Sequence, residues 1–402
     1  MRPVYLDYQS ATPVLPEVME AMRPFFAEAY GNPSSLHRHG LLARDALARA
    51  RSQIAAFINA ESPEEILFTA DSTEAANLAI KGAAAANRRN GNHIILSQIE
   101  HPSVIASTEM LEAQGFTTTR VKVDGQGTID PEDIGGAITE KTILLAVHHS
   151  NHEIGAIEPV REIGALARAR GVLFYVDADA SAGWLPLDAR DWNASLLSFS
   201  PQRFYGPKGV GVLYQNRRAA LAAILHGGDQ ERGLRPGVEN VPAIVGAGAA
   251  AEIAGREMAQ RSAHCARLQK RLWEGLRGRI PHLKLNGPEP GPRRHPATLN
   301  ISSEFIEGEG QLLLCDMQGI AVASGSSCVS KSRQSSHVLA AIGVDPALAR
   351  GNIIMSLGRD NTEEEVDYVI ETFPKIVAKL RALSPTWEEH QKGLIASVIP
   401  PA

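Results

Sequence analysis

Val172-Leu173-Phe174-Tyr175-Val176-Asp177 is a short, uniformly apolar run closed by a carboxylate. Such a run has no polar face to give to water, so it predicts a strand buried on both sides, as in a parallel sheet sandwiched by helices. Its neighbours repeat the pattern. Glu65–Thr69, His93–Ser97, Thr142–His148, Leu196–Ser200 and Val210–Tyr214 read as further strands, and the Ala-rich stretches Thr73–Asn87 and Val160–Ala169 read as helices between them. Strands alternating with helices predict an α/β fold with a mainly parallel sheet covered on both faces. Further on, Val241–Leu283 predicts a long helix and Asn286–Pro296 a Gly/Pro-rich break. Ala297–Ser302, Gln311–Gln318, Ile320–Ala323 and Thr362–Leu383 then read as strand, helix, strand and closing helix of a smaller α+β unit. Residues 391–402 are expected to form a loosely held end.

The 402 residues carry 40 Lys+Arg against 45 Asp+Glu, a net charge of −5, and 44% are hydrophobic. That describes a mildly acidic globular chain with ample material for a core, and it implies neither a nucleic-acid nor a membrane partner. No apolar run approaches the roughly 18 residues of a membrane span, and the N-terminal residues lack a signal-peptide core, so a cytoplasmic setting is expected. Cys265, Cys315 and Cys328 show no CxxC or Cys/His spacing, which argues against a disulfide framework and against a structural metal site.

Ligands of open α/β sheets gather at the carboxyl ends of the strands. There, Ala70-Asp71-Ser72-Thr73-Glu74 opens a helix whose free N–H groups and hydroxyls suit an anion such as a phosphate, although Asp71 or Ser72 also reads as an ordinary cap. His101 closes the run from Ile94. Asp177 ends a buried strand, where a carboxylate is costly unless something uses it. Two Gly-rich stretches, 198–209 and 226–237, follow. Cys328 lies among small and hydroxylated residues with Lys331 and Arg333 close in sequence, a setting that favours a reactive thiolate, whereas Cys265 and Cys315 have apolar neighbours.

Taken together these residues resemble the cysteine desulfurases of the class V aminotransferase branch, which supply sulfur for iron–sulfur clusters and tRNA thiolation. The resemblance runs from Tyr5-Leu6-Asp7-Tyr8 to residue 368. Its most specific marks are Gly31-Asn32-Pro33-Ser34-Ser35-Leu36-His37, Thr73-Glu74 with Asn77, Glu100-His101, Asn151 with Glu153-Ile154-Gly155, and Asp177-Ala178. They continue with Tyr205-Gly206-Pro207-Lys208-Gly209, Glu231-Arg232-Gly233 and Ser324-Gly325-Ser326-Ser327-Cys328. The resemblance implies a type I aminotransferase-like fold: a large domain (residues 15–260) with a mostly parallel seven-stranded sheet, and a small domain built from residues 1–14 and 261–402. It implies a homodimer that works with a sulfur acceptor or iron–sulfur scaffold protein. It also implies pyridoxal phosphate as cofactor, held by Thr73, Asp177, Ser200 and the positions of Gln202, Arg203, His152 and Ala180. Cys328 and His101 take the catalytic places, and Asn151, Arg235 and the position of Ile354 take the substrate.

The chain departs from the family at the cofactor. Family members carry His-Lys where Gln202-Arg203 stands, and that lysine forms the Schiff base; a guanidinium, with pKa above about 12, stays protonated and offers no nucleophilic nitrogen. Ala180 replaces a glutamine, His152 the second asparagine of Asn-Asn-Glu, Asp71 a glycine, Val238 a threonine, and Ile354 the arginine that clamps the substrate carboxylate. Lys208 reads as a turn or phosphate-edge cation. The leading expectation is therefore a desulfurase-like protein that lacks normal desulfuration and handles sulfur through Cys328, as a persulfide carrier or as a ligand of a transient iron–sulfur cluster. The alternatives are an active desulfurase with atypical cofactor binding and a non-catalytic partner of a true desulfurase.

Overall fold

The computed structural model describes residues 3–325 and 336–399. The chain begins with β1 (Val4–Tyr5) and then builds one seven-stranded sheet from β2 (Ile66–Thr69), β3 (His93–Ser97), β4 (Thr117–Val121), β5 (Thr142–His148), β6 (Leu173–Asp177), β7 (Leu196–Phe199) and β8 (Gly211–Gln215). The spatial order is β2-β8-β7-β6-β5-β3-β4. Only β8 runs against its neighbours; the other pairings are parallel.

Side chains alternate across the strands, as the pleat requires. Ile95, Leu145, Val147, Phe174, Val176, Leu197 and Phe199 point into one core layer, which residues of the Arg38–Phe57, Val160–Arg170 and Val241–Arg277 helices complete. Ile94, Leu96, Leu144, Ala146, Tyr175 and Leu196 point the other way, under the Ser72–Asn87 and Pro102–Glu112 helices. Burial on both faces is what the apolar runs demanded.

A second, antiparallel sheet joins β9 (Leu283–Leu285), β10 (Thr298–Ser303) and β12 (Asn352–Ser356), while β11 (Ile320–Ala321) pairs with β1. The Glu363–Ala382 helix closes this unit and opens with a capping box between Thr362 and Glu365. The long helix ends at Arg277, not near 283: Gly278 caps it, and Pro281 precedes His282 in the left-handed region. The end of the chain is tied down through 399, contrary to expectation. Ser397 Oγ and Val398 N donate to the Glu304 carboxylate at 2.6 and 2.7 Å.

Candidate functional site

Five loops at the carboxyl edge of the sheet, after β2, β3, β5, β6 and β7, bring the polar residues together. β6 delivers Asp177, buried and pushed up to about 7 by burial and by the nearby Asp179. Its Oδ1 accepts from Asp179 N at 2.9 Å. Asp179 then receives two donors: Ser200 N reaches Oδ1 at 2.7 Å, and Arg203 Nε reaches Oδ2 at 2.6 Å. Both side chains of this ion pair are mostly covered, 15% exposed for Arg203 and 11% for Asp179. Arg203 sits in the short turn Pro201–Phe204, where Trp184 Nε1 donates to its carbonyl. The turn is fastened to the N-terminal arm by Thr12, whose hydroxyl donates to the Gln202 carbonyl and accepts from Tyr205 N.

The helix start at residue 72 is largely satisfied by the chain itself. Ser72 N donates to Ser200 Oγ at 2.7 Å, and Glu74 N to Asp71 Oδ1 at 2.8 Å, so the capping reading of Asp71 holds. Gly211 makes the fit possible: a Cβ there would stand 2.3 Å from the Asp71 carbonyl. Thr73 is exposed on the first turn. Arg235 Nε donates to Glu74 Oε1 at 2.9 Å, so it is docked beside this helix start.

After β3, His101 caps the Pro102–Glu112 helix, accepting from Ser103 N at 3.2 Å. Its ring meets His152 edge-on at 5.0 Å, and burial lowers the pKa of both imidazoles. Asn151 is committed to the backbone: its amide donates to Ile99 O and accepts from Glu153 N and Ile154 N. Ile354 lies buried in β12, and Ala180 is buried beyond Asp177. Cys328 lies outside the described residues. Burial pushes the thiols of Cys265 and Cys315 up to about 12.

Sequence reading missed a charged layer beneath the crevice. His148, at the end of β5, has Nδ1 2.8 Å from Glu100 Oε1 and Nε2 3.6 Å from Glu158 Oε1, all three being buried. Burial alone would lower its pKa, but the Glu100 and Glu158 carboxylates raise it to about 9. Asp179, in the turn just past the end of β6, was missed as well, although it stands only two residues after Asp177; no such proximity in sequence connects Glu100, His148 and Glu158. Among the described residues no cluster of His, Cys, Asp or Glu could hold a metal ion, and no helix is long and apolar enough to cross a membrane.

This arrangement, a mostly parallel seven-stranded sheet with its polar groups at the strand ends, is the type I aminotransferase-like fold of pyridoxal-phosphate enzymes. The aminotransferase class-V profile matches residues 4–369, and the chain belongs to that family. It is 45% identical to the cysteine desulfurase IscS of Clostridium botulinum (strain Hall) over 390 residues, 97% of this chain and 98% of the relative. The cysteine desulfurase IscS of Escherichia coli O139:H28 is 43% identical over 398 residues, 98% of this chain and 97% of the relative. Among solved structures, a NifS-like protein superposes with a TM-score of 0.88 at 35% identity, covering 94% of this chain and all of that one. SspA in complex with cysteine gives 0.78 at 33%, covering 89% and all of it.

Proposed function

We propose that this chain is a sulfur-handling member of the cysteine desulfurase group that carries sulfane sulfur on Cys328 and does not itself desulfurate cysteine with pyridoxal phosphate. The buried Asp179–Arg203 pair carries the reading. Covalent retention of the cofactor requires an amine that can shed its proton, and a guanidinium held by a carboxylate at 2.6 Å is the opposite. The phosphate end fits no better, because the Asp71 carboxylate already occupies the Glu74 N–H at the helix start. The family's cofactor and these residues do not match.

Sulfur carriage needs no cofactor. The Cys328 thiolate attacks the outer sulfur of a persulfide supplied by a protein or a small thiol. One S–S bond breaks as another forms, and the donor leaves as a thiolate. Sulfur moves with no net oxidation, and the reverse step hands it to an acceptor protein. We place this in the cytoplasm and in a homodimer; Phe26, Tyr30 and Leu36, exposed by 64, 67 and 85%, leave the N-terminal segment with uncovered apolar surface.

The test is freshly purified protein. The reading expects no absorbance of protein-bound pyridoxal phosphate, no alanine released from cysteine, and a gain of one sulfur atom by mass spectrometry after exposure to a persulfide, lost in Cys328→Ser. Steady alanine production overturns it. That outcome would favour an active desulfurase with atypical cofactor binding, for which the retained Asp177 and His101 speak. Unchanged function in Cys328→Ser would favour a structural partner of a true desulfurase.

A further inference from the structure

A groove opens on the outer side of the second core layer, between the far ends of the two helices that start in the crevice. Lys81, Ala85 and Arg88 of the Ser72–Asn87 helix line it, together with Met110 and Leu111 of the Pro102–Glu112 helix and Phe116 beyond its end. Lys81 stands nine residues past Ser72, about 14 Å along the helix axis from the crevice. The groove holds about 580 Å³, within the roughly 300–1,000 Å³ of small-molecule sites. Leu111 and Phe116 are buried and form an apolar floor, while Ala85 and Met110 are exposed at the rim.

The charged residues that line the groove are both cations. Arg88 is held in place: its guanidinium lies 4.9 Å from the Phe116 ring centroid, and its Nη2 donates to the Gln114 carbonyl at 2.9 Å. Gly115, at φ 88°, makes the turn that brings that carbonyl and that ring to one guanidinium. Among the described residues, Arg88 Nε and Nη1 have no hydrogen-bond partner, and the Lys81 ammonium has neither a hydrogen bond nor an ion pair. The acids nearest in sequence are spent on β4: Glu109 pairs with Arg120 at 2.9 Å, and Glu112 accepts from Thr118. A chain of net charge −5 thus carries here a trough whose own charge is positive.

Such a trough selects its ligand by both of its parts. A hydrocarbon chain displaces water from the floor, and an acidic head takes up the unused N–H donors. An inorganic anion would leave the floor wet, and an uncharged hydrocarbon would leave both cations unanswered. A flat protein surface could not reach Leu111 and Phe116, which are 3 and 5% exposed. Arg88 alone would be an ordinary cation at a helix end. Lys81 lies two turns earlier, and the methyl of Ala85 between them is too short to cover the floor. We propose that the groove is a binding site for a single-chain amphiphilic carboxylate, its head on Lys81 and Arg88 and its chain on Leu111, Phe116 and Met110. The site is separate from the sulfur chemistry proposed above and stands without it.

Titration calorimetry of the full chain with decanoate, kept below its micelle concentration, tests this. One decanoate should bind per chain, and saturably. Lys81→Met should weaken it about tenfold, the scale of one hydrogen bond to a charged group, and decan-1-ol should bind the natural chain about tenfold more weakly than decanoate. Added salt should weaken decanoate and leave decan-1-ol unchanged. Ala85→Trp, at an exposed helix position, should fill the trough and abolish binding while the urea midpoint holds; if it does not fold, Lys81→Met and decan-1-ol carry the test. No saturable uptake, equal affinity in the natural chain and Lys81→Met, or decan-1-ol binding as tightly as decanoate overturns the proposal. Vesicles of phosphatidylglycerol and phosphatidylcholine should leave the chain in the supernatant. Sedimentation with vesicles in place of decanoate uptake overturns the proposal in favour of a lipid surface.

Discussion

Phe174 and Val176 of β6 are wholly buried among apolar neighbours, and the next residue of the same strand, Asp177, is an acid beside another acid. β5 makes the same change one step away, from Val147 to His148. In β5 and β6 the middle of the strand is held by transfer from water, and at or just past their carboxyl ends His148 meets Glu100 and Asp179 meets Arg203 in buried ion pairs. The difference teaches that the two can vary separately. The apolar layers preserve a fold shared with desulfurases, while the strand ends carry the buried Asp179–Arg203 pair.

Substitutions should respect that division, and the largest effects come from breaking each side in its own way. Phe174→Ala should cost about 3–5 kcal/mol in urea unfolding. Asp179→Ala should cost a comparable ~3–5 kcal/mol by removing the buried carboxylate that Arg203 Nε and Ser200 N hold, and adding Arg203→Met should recover part of it, since a buried pair replaced by apolar groups is near neutral. If Asp179→Ala proves silent, the strand ends are not held by compensation and the comparison fails.

The pH dependence should expose the charged layer. His148, raised to about 9 from 6.5, contributes stability that is complete below about pH 6.5 and lost as pH rises through 9. Asp177 and Glu158, raised to about 7, lose their contribution lower, between about pH 4 and 7. His149, lowered to about 3, acts in the other direction: its contribution is present above 6.5 and lost toward 3. Urea midpoints measured against pH should therefore fall on the alkaline side, and His148→Gln should flatten that limb between about 6.5 and 9. A smaller effect, about 0.5–2 kcal/mol, is expected for His101→Ala, which removes a helix cap. The smallest, about 0.2–1 kcal/mol, belongs to the exposed Arg120–Glu109 pair in Arg120→Ala.

Six of the seven sheet strands were legible because they are apolar runs buried on both faces. The seventh, β4, reads Thr-Thr-Thr-Arg-Val at the sheet edge, where one partner strand and open solvent leave no apolar signature. Asp177, His101, Ser200 and Arg203 could be placed in the crevice from strand ends and family resemblance. The side-chain amide of Asn151 holds the turn that presents Glu153, a role no sequence pattern announced. The Glu100–His148–Glu158 layer stayed hidden because its members come from three separate segments that only the folded sheet brings within reach.

The Val241–Arg277 helix runs 37 residues without interruption and packs against both the Arg38–Phe57 helix beside the large sheet and the Glu363–Ala382 helix over the small one. At 1.5 Å per residue it is a beam some 55 Å long. Any widening of the crevice must flex or pivot that beam, so the opening has a mechanical stiffness set far from the residues that line it.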